Sequence, residues 1–112
     1  MSELVEKLCN GRHPVEASLR PNATCAALRE SIDRDYVHVK FTDTMGGTEL
    51  GFALDKNLTK LEEGDFVNGR GTVRLVGNLS LDYVRVRCSA DIDLSTLSGS
   101  GNLERIQPPD KG

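Results

Sequence analysis

Tyr36-Val37-His38-Val39-Lys40-Phe41-Thr42, followed after a short gap by Glu49-Leu50-Gly51-Phe52-Ala53-Leu54, is the stretch that decides the fold. Both segments alternate apolar and polar residues, the period of a strand with one buried face. Between them, Thr44-Met45-Gly46-Gly47 carries two glycines that can take the positive φ a hairpin loop needs. Setting Asp43 opposite Thr48 places Val37 across from Leu54, Val39 from Phe52 and Phe41 from Leu50. All six apolar side chains then share one face. A slip of one residue would break that sharing, so the spacing predicts an antiparallel hairpin.

Toward the C-terminus, residues 55–66 read as acidic and irregular, with Leu58 and Leu61 on a single helical turn. Asn68-Gly69-Arg70-Gly71 is a turn, and a strand is expected from Thr72 to Leu75. Gly77-Asn78 is expected to reverse the chain. A long strand starts at Leu79, and its apolar positions then change phase. Leu79 and Leu81 are odd, whereas Val84, Val86, Cys88, Ala90, Ile92 and Leu94 are even, which predicts a β-bulge near Asp82-Tyr83. Gly99–Ile106 forms a last strand, and its Ser98-Gly99-Ser100-Gly101 start marks it as weak or edge-like.

Toward the N-terminus, residues 2–10 pattern as a short helix capped by Ser2, with Leu4, Val5, Leu8 and Cys9 on one face and Gly11 at its end. His13-Pro14 reads as a loop, and Val15, Ala17 and Leu19 as a short strand. Pro21-Asn22 opens a second helix that runs to about Asp33, capped by Asn22 or Thr24, with Cys25, Leu28 and Ile32 as its apolar stripe. Arg29–Asp33 and Glu30–Arg34 sit at the spacing of helical ion pairs. The fold class expected is α+β: two short N-terminal helices on a curved, mostly antiparallel sheet of five to six strands, able to close partly into a barrel. One domain is expected over residues 1–106, with 107–112 as a disordered polar tail.

Composition narrows the function. The chain has 112 residues and a net charge of −3, against the basic balance of a general nucleic-acid binder. With three Phe, two Tyr and no Trp, it lacks the rings of a base-stacking platform. The amphipathic, acidic start at Met1–Lys7 does not read as a signal peptide, and no apolar run approaches a membrane span. A reducing cytoplasm is therefore expected. There Cys9, Cys25 and Cys88 are small apolar residues, and the sequons at Asn22, Asn57 and Asn78 are chance matches. His13 and His38 are far apart and no CxxC occurs, so no metal or other cofactor is expected. No nucleophile motif is present, and an enzyme is not expected.

Two surfaces stand out. Tyr36, His38 and Lys40 share the polar face of the hairpin opposite Gly51 and Ala53, poor strand formers that suggest close approach by a ligand or partner, by a helix of the chain, or by the Lys40 and His38 side chains themselves. Arg70, Arg74, Arg85 and Arg87 make residues 70–87 locally positive. Arg70-x-x-x-Arg74 with Asp93-x-Ser95 resembles, in part, the paired motifs of PILZ domains. The resemblance implies a β-barrel that grips a cyclic dinucleotide through its arginines. The second motif departs from the family pattern, because its glycine stands at Gly99 where Ser98 would have to be glycine. The function expected is a small cytoplasmic, non-catalytic binding or accessory protein that docks to a protein partner or to itself. The alternative is a domain for a small anionic or nucleotide-like ligand, held by the arginine-bearing face. A third reading makes His38 an acid/base, which requires it to be partly buried beside a carboxylate.

Overall fold

The computed structural model describes residues 3–19, 24–81 and 83–106. The elements are α1 (Glu3–Cys9), β1 (His13–Ala17), α2 (Cys25–Asp33), β2 (Tyr36–Phe41), β3 (Thr48–Leu54), β4 (Thr72–Leu81), β5 (Val84–Asp93) and β6 (Ser98–Arg105). Each strand pairs antiparallel with the next, and β1 also pairs with β6, so the sheet closes into a six-stranded barrel. The expected α+β class and curved sheet hold, and closure is complete. Ser2, Pro21, Asn22, Asp82 and the tail 107–112, each given a role by the sequence pattern, lie outside the described residues.

The hairpin forms, but two residues out of the expected register. Val37 faces Phe52, Val39 faces Leu50 and Phe41 faces Thr48. An even shift keeps every apolar side chain on the inner face, so the alternation could not distinguish the two pairings. The arbiter is β1: Thr42 donates its backbone N–H to Pro14 at 3.1 Å, which holds it to β1 rather than to β3. The loop then spans 42–47, with Gly46 and Gly47 at φ +75° and +79°.

Four further expectations are corrected. His13-Pro14 belongs to β1, with His13 inward and buried. The residue before proline is driven to extended angles, which suit a strand as well as a loop. Gly77-Asn78 does not turn: β4 runs unbroken to Leu81, and Gly77 is present because the Ala53 carbonyl and the Phe52 ring press where a Cβ would stand. The phase change near Asp82-Tyr83 is the hairpin turn itself. Leu81 pairs with Val84 across a two-residue link, so an odd and an even position share the inner face. Finally, β6 is no edge, since Gly99 and Gly101 let it approach β5 closely while it also pairs with β1.

One apolar core joins both helices and all six strands, with Phe41 and Phe52 its largest fully buried side chains. A six-stranded barrel is too narrow for a lumen, and side chains fill it. α2 starts at Cys25 behind Thr24, one of the two expected caps, whose Oγ1 accepts from the Ala27 N–H at 3.0 Å. After β3 the chain becomes a strap along β4: Asp55 N donates to Val76 O at 2.7 Å, and Lys60 and Arg74 exchange backbone bonds. The strap buries the outward-facing Val76. No helix is long and apolar enough to cross a membrane among the described residues.

Candidate functional site

Arg74, Arg85 and Arg87 lie on the outer, convex face, Arg70 lies beyond it, and the four do not converge. Arg74 is cross-strand from Asp91, Arg87 from Asn78, and Arg85 from Ser80. The Arg74 and Arg85 levels are six residues apart along the strand, roughly 20 Å at the usual rise. Arg70 sits in the turn before β4, its backbone paired with Asp65. Arg74 grips Asp91 with two bonds, Nε to Oδ1 at 2.8 Å and Nη2 to Oδ2 at 3.2 Å. Arg12, which sequence reasoning did not single out, meets the same carboxylate at 2.6 Å and donates to Ser100 and Asn102. Partial burial alone would raise the Asp91 carboxyl, but hydrogen bonds and charge from Arg74 and Arg12 outweigh it and hold Asp91 below the usual carboxylate range. Arg87 reaches Asn78 at 3.4 Å and Glu104 at 4.0 Å.

A cleft of about 310 Å³ opens between the strap and β4 beside Arg74. Lys60 and Arg74 line it together with Glu62, Glu63 and Asp91, so carboxylates outnumber the cations there. Asp93 and Ser95, the partner motif of the PILZ resemblance, serve the β5–β6 turn. Ser95 donates to Asp93 Oδ1 from both N (2.8 Å) and Oγ (2.7 Å). These bonds hold the Asp93 carboxyl below its usual range.

Tyr36, His38 and Lys40 do share the outer face of β2, opposite Ala53, Gly51 and Glu49. Gly51 explains the room above it. A Cβ there would lie 2.8 Å from the His38 ring and 2.9 Å from the Tyr36 hydroxyl, because those two side chains cover the glycine. The rings meet edge to face at 5.3 Å. His38 is exposed, with Tyr36 and Gly51 as its neighbours.

The histidine beside a carboxylate is instead His13, which is 9% exposed. Its Nδ1 is 2.8 Å from Asp43 Oδ2 and its Nε2 is 3.1 Å from the Asn10 carbonyl. Extending the Val15/Ala17 alternation back by two residues would have placed this histidine inward.

Because the barrel is a meander, the β2–β3 loop, the β4–β5 turn and the start of β1 lie at one end, and α1 crosses it. Met45 and Tyr83, at the two hairpin tips there, are fully exposed, at 101% and 105%. Tyr83 is also left-handed, with φ +67°. Leu4, Leu81 and Val84, partly buried, lie near this end. The sequence offered one signal for this surface: two large apolar residues at hairpin tips, one of them concealed in the supposed bulge. The chain matches no family model, and no curated protein matches it.

Proposed function

We propose that this is a small cytoplasmic, non-catalytic binding protein that docks a protein partner or a second copy of itself through the barrel end carrying Met45 and Tyr83. The observation that carries this reading is Tyr83. A left-handed conformation costs a non-glycine residue on the order of 1 kcal/mol. Full exposure means that its ring returns no packing to the fold. A large aromatic kept where it costs stability and packs on nothing suits an anchor for a partner, since tyrosine is enriched among residues that dominate interfaces. The packed interior leaves binding to the outside of the barrel. Both nitrogens of His13 are engaged, which suits a structural role rather than acid/base work. Three free thiols suit a reducing compartment.

The test is the native mass of the full chain, alone and purified from its own source, for wild type and Tyr83→Gly. Wild type is expected to migrate above 12.2 kDa, as an oligomer or with a second polypeptide. Tyr83→Gly is expected to melt higher and to lose the association. Unchanged association in a Tyr83→Gly, Met45→Ser double variant overturns the reading. The alternative, an anionic ligand at the Arg74 cleft, is less well supported because Glu62, Glu63 and Asp91 line the same space.

A further inference from the structure

We propose that His13 and Asp43 form a proton-dependent latch that holds α1 across the end of the barrel, closed when the imidazole is charged and loosened when it is neutral. The Asn10 carbonyl, 3.1 Å from Nε2, can only accept a hydrogen bond, so Nε2 must carry a hydrogen. An ionised Asp43, 2.8 Å from Nδ1, also only accepts, so Nδ1 must carry one too. Only the imidazolium satisfies both. A neutral ring has a single N–H and would turn a lone pair toward one of the two oxygens, on a histidine that is 9% exposed.

The groups around the pair agree with this state. The hydrogen bond from His13 pulls the Asp43 carboxyl below its usual range; desolvation opposes the shift, and the charges of His13 and Lys7 add to it. Lys7, on α1, donates from Nζ to the Asp43 carbonyl at 2.8 Å. From β6 the residue opposite His13 is Gly101, which brings no charge. From β2 the Phe41 ring stands edge-on at 6.5 Å. The neighbouring Arg12 is turned outward to Asp91, and Glu6 of α1 reaches Arg105 at 3.8 Å.

The pair joins three pieces of chain: the residue after α1, the start of β1, and the loop that leads to Met45. α1 has seven residues, too few to be helical without tertiary contacts. It is held to the barrel by the buried Val5 and Leu8, by Lys7 on the Asp43 carbonyl, by Glu6 beside Arg105, and by this latch. The proton on the ring decides whether the latch is closed. Its effect on a partner rests on the docking reading above; the latch itself does not.

The experiment uses the full chain labelled with nitrogen-15, from about pH 5 to 8. It follows the His13 ring nitrogens together with hydrogen-exchange protection of the Val5–Cys9 amides, corrected for intrinsic rates. Both ring nitrogens are expected to be protonated at the acid end. Protection of α1 is expected to fall by about tenfold, in step with loss of the ring proton. Protection of Leu75 and Ala90 in the core should not follow that step. In Asp43→Ala the neutral ring can give its one hydrogen to Asn10, so the step should vanish. The fold survives, since the Asp43 side chain is 33% exposed. Protection of α1 that is flat through the His13 titration overturns the proposal, as does an unchanged step in Asp43→Ala. A latch that behaves as expected while the Tyr83→Gly, Met45→Ser double variant keeps its partner sinks the docking reading alone.

Discussion

Tyr83 and Cys88 set opposite bounds on what a single residue does here. Tyr83 sits at φ +67° with its ring in water, so the fold bears its cost without a contact in return. Tyr83→Gly should therefore raise stability by about 0.5–1 kcal/mol in thermal or urea unfolding, because glycine takes positive φ freely. Cys88 is fully buried, and burial pushes its thiol up to about 12. Since the thiolate is the reactive form, Cys88 should resist alkylation in the native state and react only as the barrel opens. Cys9 and Cys25, each part-exposed, should label first. Mass spectrometry after a timed thiol pulse checks the order, and Cys88 modified together with the others would contradict it.

At the scale of elements, capping and strand approach dominate. Thr24 closes the N-terminus of α2 with one side-chain bond to Ala27, and Thr24→Ala should cost about 1 kcal/mol in chemical denaturation. The seam between β3 and β4 is narrow: its ladder pairs only Ala53 with Asn78 and Leu54 with Gly77 among the described residues. The β4–β5 ladder, by contrast, pairs every residue from Thr72–Asp93 to Leu81–Val84. Native-state hydrogen exchange should therefore find β4–β5 most protected, with Thr48–Gly51 opening earlier and at lower free energy. Gly77→Val should strike this seam hardest, because Ala53 and Phe52 already occupy the space a side chain would need.

For the whole molecule, acid is the informative perturbation. Asp91 joins β5 to Arg74 of β4 and to Arg12 just before β1. Its folded pKa is depressed, so its contribution is complete above the unfolded carboxylate value of about 3.9 and is lost as pH falls through the folded value. The melting temperature of wild type should fall as pH drops from about 4 toward 2. Asp91→Asn should start lower at neutral pH and fall less over that interval. Equal acid sensitivity in the two proteins would mean that the cluster contributes no pH-dependent stability.

Residue order by itself determined the hairpin, both helices and the α+β class. These follow from periodicity and turn chemistry, which are local. It also placed Tyr36, His38 and Lys40 on one face, because a strand alternates whatever it pairs with. Tertiary structure decided the rest. The register of β2 on β3 depended on β1 holding Thr42, and a shift of two residues leaves no trace in an alternating pattern. Gly77 reads as a turn until Phe52 is seen against it. The arginines cluster in sequence yet spread along a convex face, since neighbours in a strand separate by the full rise per residue. His13 and Asp43, thirty residues apart, become one hydrogen-bonded pair only when β1 closes the barrel against β2, a contact between segments that no local rule connects.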